Sequence, residues 1–541
     1  MKLKRTAAGV LIFFLLFCLL PLSGTAELEL LSAGNTYPLY SDKTITWYSQ
    51  WGLIPNQAFV DYTQSPFHTG LSKKLGVDIK WMFPTTGTNG TTYTNILLMD
   101  PATMPNIMDI NGNLIMNNAS MYLDDGVIWD LTDDLPKYAP AYYAFLKAHP
   151  EWDRAVKTDD DKYYFFGFFR EDGGWNDSCI GPTIRKDWLE ECGLEAPKTI
   201  SELENVLRVF KDKYNARFAF NTRINAEGGG FCGAFGAYTT NSDTYFVRDG
   251  KVGYAMTQPE WRTYVSWLHK LWKEGLIDQD SLTLDDTTIK AKIHSDKCGV
   301  SFTAMSQVNN WNRERNANGQ DSVWIGFTPP TADDGSISCV VGGNGLVAFT
   351  VVITKSASLE EKRLAMQMLD YAYTQEGFLY WNYGEKGVSW EYGEDGKPHF
   401  TDLVMNDPDM DPMTKYNGAT WGSSCVQATN LLYAKNSKEA TDANDAWYYV
   451  FDDPVKNKAV TSDWKFPIGA TFTVEEADEL DIIGGGIATY ASENFAKFLT
   501  GSLDIDDDKV WERYLAGFDQ LSLPRVLEIK QASYDRFIKR D

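Results

Sequence analysis

The chain has 541 residues, enough at about 150 residues per domain for several domains and a sizeable core. Acidic residues outnumber basic ones by 74 to 50, so the formal charge is −24 and the surface repels polyanions. Nucleic acid is excluded as a partner, because binding to its backbone requires clustered Lys and Arg. Aromatic residues are abundant, at 14%, and include 18 Trp.

The N-terminus has the three parts of a secretory signal peptide over residues 1–26. Lys2 and Arg5 precede an apolar run from Val10 to Leu20, and small residues lead up to a cleavage position after Ala26. The run is shorter than the roughly 20 residues of a membrane-spanning helix. We therefore expect an exported protein, extracellular at the outer face of the cell membrane or periplasmic.

The cysteines do not fix a disulfide framework. Cys18 lies within the apolar run and follows Phe17, whereas a lipoprotein cleavage site needs a small residue there. We assign Cys18 to the core of the signal peptide and leave lipid anchoring open. The other cysteines form no C-x-x-C pair, and Cys179 and Cys192 are the closest two, so disulfides are permitted by the compartment but not required.

Three early segments have the composition of β-strands and are separated by lengths that can hold helices. They are Thr44–Trp51, Val77–Phe83 and Asn106–Ile110. Strands that alternate with helical lengths predict a parallel α/β sheet.

Later segments carry helix start signals. Thr199 to Glu202 forms a capping box before residues at helical spacing, and Ser358 and Thr473 begin two more helices. A stripe from Trp261 to Trp272 also has helical spacing and stops at a glycine. The stretch from residue 473 to the C-terminus has a helical pattern, so we expect an α/β body with a helical C-terminal tail.

The order of segments resembles the family 1 extracellular solute-binding proteins, which serve ABC importers. The resemblance is to the long subgroup that includes many Firmicutes lipoproteins, and it covers nearly all of the chain after the signal peptide. It is carried by DGVIWDLTDDLPKYAP (125–140), KYYFFGFF (162–169), IRKDWLEECGLEAPKTISELENVL (184–207) and the segments 268–282, 369–391 and 495–521.

This resemblance implies the two-lobed, type II periplasmic-binding-protein fold. Each lobe has a mixed, mainly parallel sheet flanked by helices, and the ligand is held between the lobes. Lobe 1 is expected at residues 41–166 plus 340–390, and lobe 2 at 167–339 plus 391–541. We expect crossings at Phe166–Ile180 and near Gly342–Gly343. Ligand is expected to close the cleft, and the closed form to dock to an ABC transporter permease.

Aromatic and amide side chains near strand ends are the candidates for a ligand-binding site. A pyranose has a C–H face and a rim of hydroxyls, so it fits a flat ring beside polar groups. Core packing is the alternative for each tryptophan. The expected cleft residues are Trp47, Gln50 and Trp51 after the first strand, Asn111 and Asn113 after the third, Arg170 and Trp175 past the lobe crossing, and Phe235, Trp311, Asn344 and Trp421 at positions that the resemblance assigns to cleft loops.

The aromatic excess and the acidic charge favour a neutral oligosaccharide as the small-molecule ligand. A peptide or an anionic sugar stays open, with Arg170 as the counter-ion. Among the tryptophans, we give most weight to those in polar or Gly-rich sequence, which are Trp51, Trp175, Trp311 and Trp421.

No catalytic or cofactor motif occurs in its proper context. The five histidines are scattered, and Gly228–Gly233 matches a dinucleotide loop but lies too far after its nearest strand. Asp407, Asp409 and Asp411 are not followed by the glycine and glutamate of a calcium loop. We expect a monomeric binding protein with no cofactor, no metal and no enzyme activity.

Two other classes of function stay open. A secreted carbohydrate-active enzyme of the glycoside hydrolase type is the alternative, because 74 acidic residues allow many carboxylate pairs. A surface adhesion or sensor protein is a third possibility.

Overall fold

A computed structural model describes most of the chain after the signal peptide, and every structural statement below concerns the described residues. These are 34–50, 66–85, 88–100, 103–170, 180–220, 231–237, 244–320, 323–335, 346–405, 427–429, 442–443, 445–447 and 464–540. The predicted signal peptide and its cleavage position lie outside them.

The strands form two main sheets and two hairpins. The first sheet has the order β14-β4-β11-β3-β1-β2, the second has the order β10-β5-β9-β6, and the hairpins are β7–β8 and β12–β13. The strands are β1 (Thr44–Ser49), β2 (Asp78–Met82), β3 (Ile107–Asn111), β4 (Phe166–Arg170), β5 (Ile180–Arg185), β6 (Arg217–Phe218), β7 (Tyr245–Arg248), β8 (Lys251–Tyr254), β9 (Cys298–Ala304), β10 (Trp324–Gly326), β11 (Leu346–Ile353), β12 (Trp390–Tyr392), β13 (Pro398–Phe400) and β14 (Gln427–Thr429).

Helices cover the sheets and form the C-terminal tail. They are α1 (Pro66–Leu75), α2 (Gly90–Met99), α3 (Gly112–Met116), α4 (Ala119–Asp124), α5 (Leu135–Tyr138), α6 (Pro140–Ala148), α7 (Pro150–Ala155), α8 (Lys186–Cys192), α9 (Ile200–Tyr214), α10 (Pro259–Lys273), α11 (Asp286–His294), α12 (Met305–Ala317), α13 (Leu359–Asp370), α14 (Gln375–Tyr383), α15 (Asp402–Met405), α16 (Val474–Ile483), α17 (Gly485–Thr500), α18 (Asp508–Gln520) and α19 (Leu523–Phe537). The predicted helical tail is confirmed.

Each main sheet contains one strand that runs against the others. In the first sheet β1 is parallel to β2 and β3, and β11 is antiparallel to β3 and β4. In the second sheet β5 is antiparallel to β10 and β9, and β6 is parallel to β9. The mixed sheets expected for the two lobes are therefore confirmed, and β1, β2 and β3 lie where the sequence predicted the first three strands.

The two main sheets have separate hydrophobic cores. The first core includes Ile45, Ile107 and Phe166, and the second includes Ile184 and Val300. The tail adds its own buried residues to the second core, namely Phe495, Phe498, Trp511, Tyr514 and Phe518. Two separately packed cores are the basis for two lobes.

The helix starts follow the predicted local chemistry. The Thr199 hydroxyl accepts the Glu202 N–H at 3.3 Å, but the Glu202 carboxylate accepts the N–H of Lys198, at 2.7 Å, so this capping box is half formed. Ser358 and Thr473 both form complete capping boxes, in which the glutamate three residues later returns a hydrogen bond to the cap N–H.

The chain crosses between the sheets more than once. It leaves the first sheet at Arg170 and enters the second at Ile180, within the predicted crossing, and it returns between Gly326 and Leu346. Gly342 and Gly343 lie in that second stretch, outside the described residues. Because β14 belongs to the first sheet, we propose that lobe 1 extends to about residue 429, beyond the predicted boundary at 390.

A buried carboxylate, Asp370, joins three segments of the first lobe. It accepts the N–H of Tyr142, in the first turn of α6, at 2.8 Å, and the side-chain amide of Asn35 at 2.9 Å. Burial raises the pKa of Asp370 to about 7, because an ionised carboxylate is poorly solvated there.

We predict that Asp370 makes the free energy of unfolding fall as the pH rises from about 4 to about 7. The unfolded carboxyl loses its proton near the ordinary value of 3.8, whereas the folded one keeps it until about 7, so stability present at low pH is lost across this window. Relative to Asp370→Asn, the wild type should lose on the order of 4 kcal/mol. Chemical denaturation across this range measures the difference, and parallel pH profiles for the two proteins would contradict the assignment.

Candidate functional site

The carboxyl ends of β1, β3 and β4 lie on one edge of the first sheet, because these strands run in the same direction. Gln50, Asn111 and Arg170 are at these ends. The first crossing enters the second sheet at Ile180, which pairs with Ala304 at the end of β9. Crossings join these two edges, so the space between them is the candidate ligand cleft, where loops from both lobes converge.

Gln50 holds the first-lobe edge of the cleft together. It is 8% exposed, and its Oε1 accepts the N–H of Asn111 at 3.0 Å and the hydroxyl of Thr94 at 3.3 Å. Its Nε2 donates to the Thr91 hydroxyl at 3.0 Å. A Cβ at Gly90 would lie 2.9 Å from Gln50 Cγ, so glycine lets α2 start this close. These contacts position the strand ends, and ligand contact by Gln50 stays a prediction.

Trp47 and Trp311 belong to hydrophobic cores. Trp47 is 0% exposed and stacks on Trp81, with ring centroids 4.9 Å apart. Trp311 is 4% exposed and packs edge-to-face on Trp324, with centroids 5.3 Å apart. This corrects the expectation that both rings line the cleft. Neither offers a surface to a ligand in this structure, so neither is kept as a candidate.

The remaining predicted residues are placed only in part. Asn111 is half-buried at the end of β3, Asn113 lies in the first turn of α3, and Arg170 is the last residue of β4. Phe235 is half-buried and packs on α10, with its ring centroid 5.3 Å from that of Trp267. Their ligand contacts stay predictions. The other four lie outside the described residues: Trp51, Trp175, Asn344 and Trp421.

The structure shows an aromatic cluster at the carboxyl end of β2 whose residues were not among the predicted site residues. Trp81 and Phe83 are half-buried with nearly parallel rings, their centroids 6.4 Å apart, and His68 of α1 packs edge-on to both, at 4.5 and 5.7 Å. Since β2 is parallel to β1, this cluster ends at the same edge as Gln50. The signal that selected Trp47, an aromatic residue near a strand end, also marks Trp81 and Phe83.

The polar side chains just before this edge, in β1 and β3, are buried and hydrogen-bonded to one another or to α2. The Tyr48 hydroxyl lies 2.9 Å from the Thr94 hydroxyl, and burial raises the pKa of Tyr48 to about 12. Ser49 donates to Asp109 Oδ2 at 3.4 Å, and both side chains are fully buried. Asp109 is therefore held inside the sheet and does not face the cleft as a free carboxylate.

Metal sites and membrane-spanning helices were both sought in the part of the chain that the structure describes. There, no group of three or more His, Cys, Asp or Glu side chains is arranged to hold a metal ion. No helix in the same residues has both the length and the apolar character needed to cross a membrane. The aspartates at 407, 409 and 411 lie outside this part.

We predict that Trp311→Ala lowers the free energy of unfolding by about 3 to 5 kcal/mol, because it empties space in a packed core. As a matched control, Tyr392→Ala removes a ring that is 45% exposed and should change stability by about 1 kcal/mol or less. Denaturant titration measures both. A Trp311→Ala protein as stable as the wild type would show that this ring is not a core residue.

Comparison with known proteins identifies relatives of the whole chain. The sequence is 24% identical to the fructooligosaccharide ABC transporter substrate-binding protein FusA of Streptococcus pneumoniae, over 93% of this chain and 92% of FusA. The structure of S. pneumoniae FusA in complex with kestose has a TM-score of 0.71 at 22% identity, and covers 92% of this chain and 99% of that one.

A second solved structure and a family profile also match this chain. The alginate-binding protein AlgQ2 without calcium ion has a TM-score of 0.70 at 21% identity, and covers 93% of this chain and 100% of that one. These likenesses confirm the two-lobed α/β fold. The profile of the bacterial extracellular solute-binding proteins matches residues 106–377, half of the chain, which include strands of both main sheets. The chain belongs to the bacterial extracellular solute-binding protein family.

Proposed function

We propose that this protein is the extracellular substrate-binding component of an ABC transporter. It captures a neutral oligosaccharide in the cleft between its lobes and delivers it to a membrane permease. The observation that carries the choice of ligand is the aromatic cluster at the end of β2, in which Trp81 and Phe83 are half-buried and His68 is buried behind them. This cluster lies at the same sheet edge as Asn111.

The chemistry of this edge suits a sugar. Flat rings can take the C–H face of a pyranose, and amide and hydroxyl groups can bond its rim. Asn111 is half-buried at the end of β3, and Gln50 fixes the backbone there through the Asn111 N–H at 3.0 Å. A site held in this way is preorganised, so little ordering is needed when a ligand binds.

The names of the relatives support a carbohydrate as the ligand. FusA is named for fructooligosaccharides and has a solved structure in complex with kestose, and AlgQ2 is named for alginate. The formal charge of −24 favours a neutral ligand over a polyanionic one for this chain, since the overall field repels anions.

Capture without chemistry is favoured over hydrolysis. Solute-binding proteins hold a ligand and release it, and Asp109, at the carboxyl edge of the first sheet, is fully buried against Ser49. A glycoside hydrolase needs two carboxylates that flank the scissile bond. The predicted export signal supports a binding step outside the cell, where a permease can receive the ligand.

We predict that the mature protein is stabilised by neutral oligosaccharides and not by peptides. At about 100 times Kd, a ligand that binds only the native state adds about 2.7 kcal/mol, which a thermal-shift screen detects. Mass spectrometry after long incubation should recover the sugar unchanged. A hit among peptides alone would contradict the choice of ligand, and shortened sugars from a pure preparation would favour the hydrolase.

We predict that Phe83→Ala weakens oligosaccharide binding by about tenfold, equivalent to about 1.4 kcal/mol, because a stacking surface is removed. Tyr392→Ala, which removes an exposed ring from hairpin β12–β13, is the control and should bind like the wild type. Titration calorimetry measures both affinities. Equal Kd values for the two variants would remove the aromatic cluster from the site.

A further inference from the structure

The C-terminal end of the chain is held by a buried arginine. Arg540 is 8% exposed, and its Nε donates to Asp159 Oδ1 at 2.9 Å. Its Nη1 donates to the carbonyls of Lys157, at 2.6 Å, and Gly469, at 2.8 Å, and its Nη2 donates to the Thr471 hydroxyl at 2.6 Å. A single guanidinium thus joins three separate stretches of the chain.

A second arginine reaches the same carboxylate. Arg536, one helical turn earlier, donates its Nε to Asp159 Oδ2 at 2.6 Å and its Nη1 to Glu476 Oε1 at 2.9 Å. We call Arg536, Arg540 and Asp159 the C-terminal clasp. Both oxygens of Asp159 are engaged, so the carboxylate holds the end of the tail in one orientation.

One side of the clasp is fixed to the first lobe. Asp159 follows α7, whose Trp152 and Ala155 are part of the first core. Lys157, in the same stretch, pairs with Asp153 at 3.1 Å. A Cβ at Gly469 would clash with the Ala155 carbonyl oxygen, so the stretch just before the tail lies directly against the first lobe.

The helix that carries the clasp is fixed to the second lobe at its other end. Leu523 and Val526, in the first turn of α19, are part of the second core. Farther along α19, the Gln531 amide accepts the Val252 N–H at 2.8 Å and donates to the Gly250 carbonyl at 2.9 Å, both in hairpin β7–β8. Helix α19 therefore begins in one lobe and reaches the other.

We propose that the C-terminal clasp is a fixed pivot between the lobes, which limits the lobe orientations that the protein adopts without ligand. A rotation of the lobes must either turn about the clasp or break it. Breaking it would separate the Arg540 guanidinium from the Asp159 carboxylate and the Lys157 carbonyl that accept its hydrogen bonds, which is unfavourable. The crossings and the clasp together restrict the rotations that one lobe can make relative to the other.

The pivot has a consequence for ligand capture. When fewer orientations compete, a larger fraction of the protein is competent to bind, and the apparent Kd equals the intrinsic Kd divided by that fraction. This effect on the apparent Kd rests on the proposed function. The restriction of lobe orientation does not, so the two can fail separately.

The test compares variants of the full mature chain without ligand. Asp159→Asn keeps the shape of the side chain and removes its charge, and Arg540→Gln removes the guanidinium. The control is Arg525→Gln, because Arg525 makes a similar two-pronged pair with Glu479, at 2.8 and 2.8 Å, that joins α19 to α16 within the tail. Single-molecule energy transfer between labels at the exposed residues Ile96, in the first lobe, and Thr287, in the second, reports the distribution of distances between the lobes.

We expect a broader distance distribution in both clasp variants and an unchanged one in Arg525→Gln. The oligosaccharide Kd should rise by about fivefold in the clasp variants. Denaturant titration establishes that each variant is folded, and Asp159→Asn alone carries the test if Arg540→Gln does not fold. An unchanged distribution in folded Asp159→Asn would overturn the pivot. Broadening in a protein that binds no oligosaccharide would support the pivot and contradict the proposed function.

Discussion

The hydrophobic residues of this chain are buried mainly in two cores, one around each main sheet, and the chain crosses between them more than once. Packed cores resist continuous deformation, so a change of shape is confined to the segments that join them. The strand ends at Gln50 and Asn111 and those at Ile180 and Ala304 can then approach each other while both cores stay intact. A merged core would have fixed these two edges at one distance.

The C-terminal tail does not merge the two cores into one. Helices α17 and α18 supply Phe498 and Trp511 to the second core, and α19 then reaches across to Asp159 of the first lobe. The tail is thus packed mainly on the second core, and the end of α19 is tied to the first lobe by the clasp and by Phe537, which packs against the first core. A contact confined to the end of one helix can act as a pivot because it fixes one point between the lobes.

Features that depend on neighbours in sequence were predictable, and features that depend on distant contacts were not. Strands β1 to β3 and the caps at Ser358 and Thr473 follow from local pattern and local hydrogen bonds. Trp311 lies among polar residues in the sequence, yet its ring is buried against Trp324, because β10 packs on α12. Trp81 stays half-buried because β2 is the last strand of its sheet, which a local window cannot indicate.

The central claim is that a ligand held between the lobes draws them together. Small-angle X-ray scattering of the mature protein, with and without an oligosaccharide at saturation, measures this most directly. The account predicts a smaller radius of gyration with ligand, because a ligand that touches both lobes has higher affinity for the closed state. An unchanged radius of gyration, with binding established by calorimetry in the same sample, would contradict it and favour a rigid binder or an enzyme.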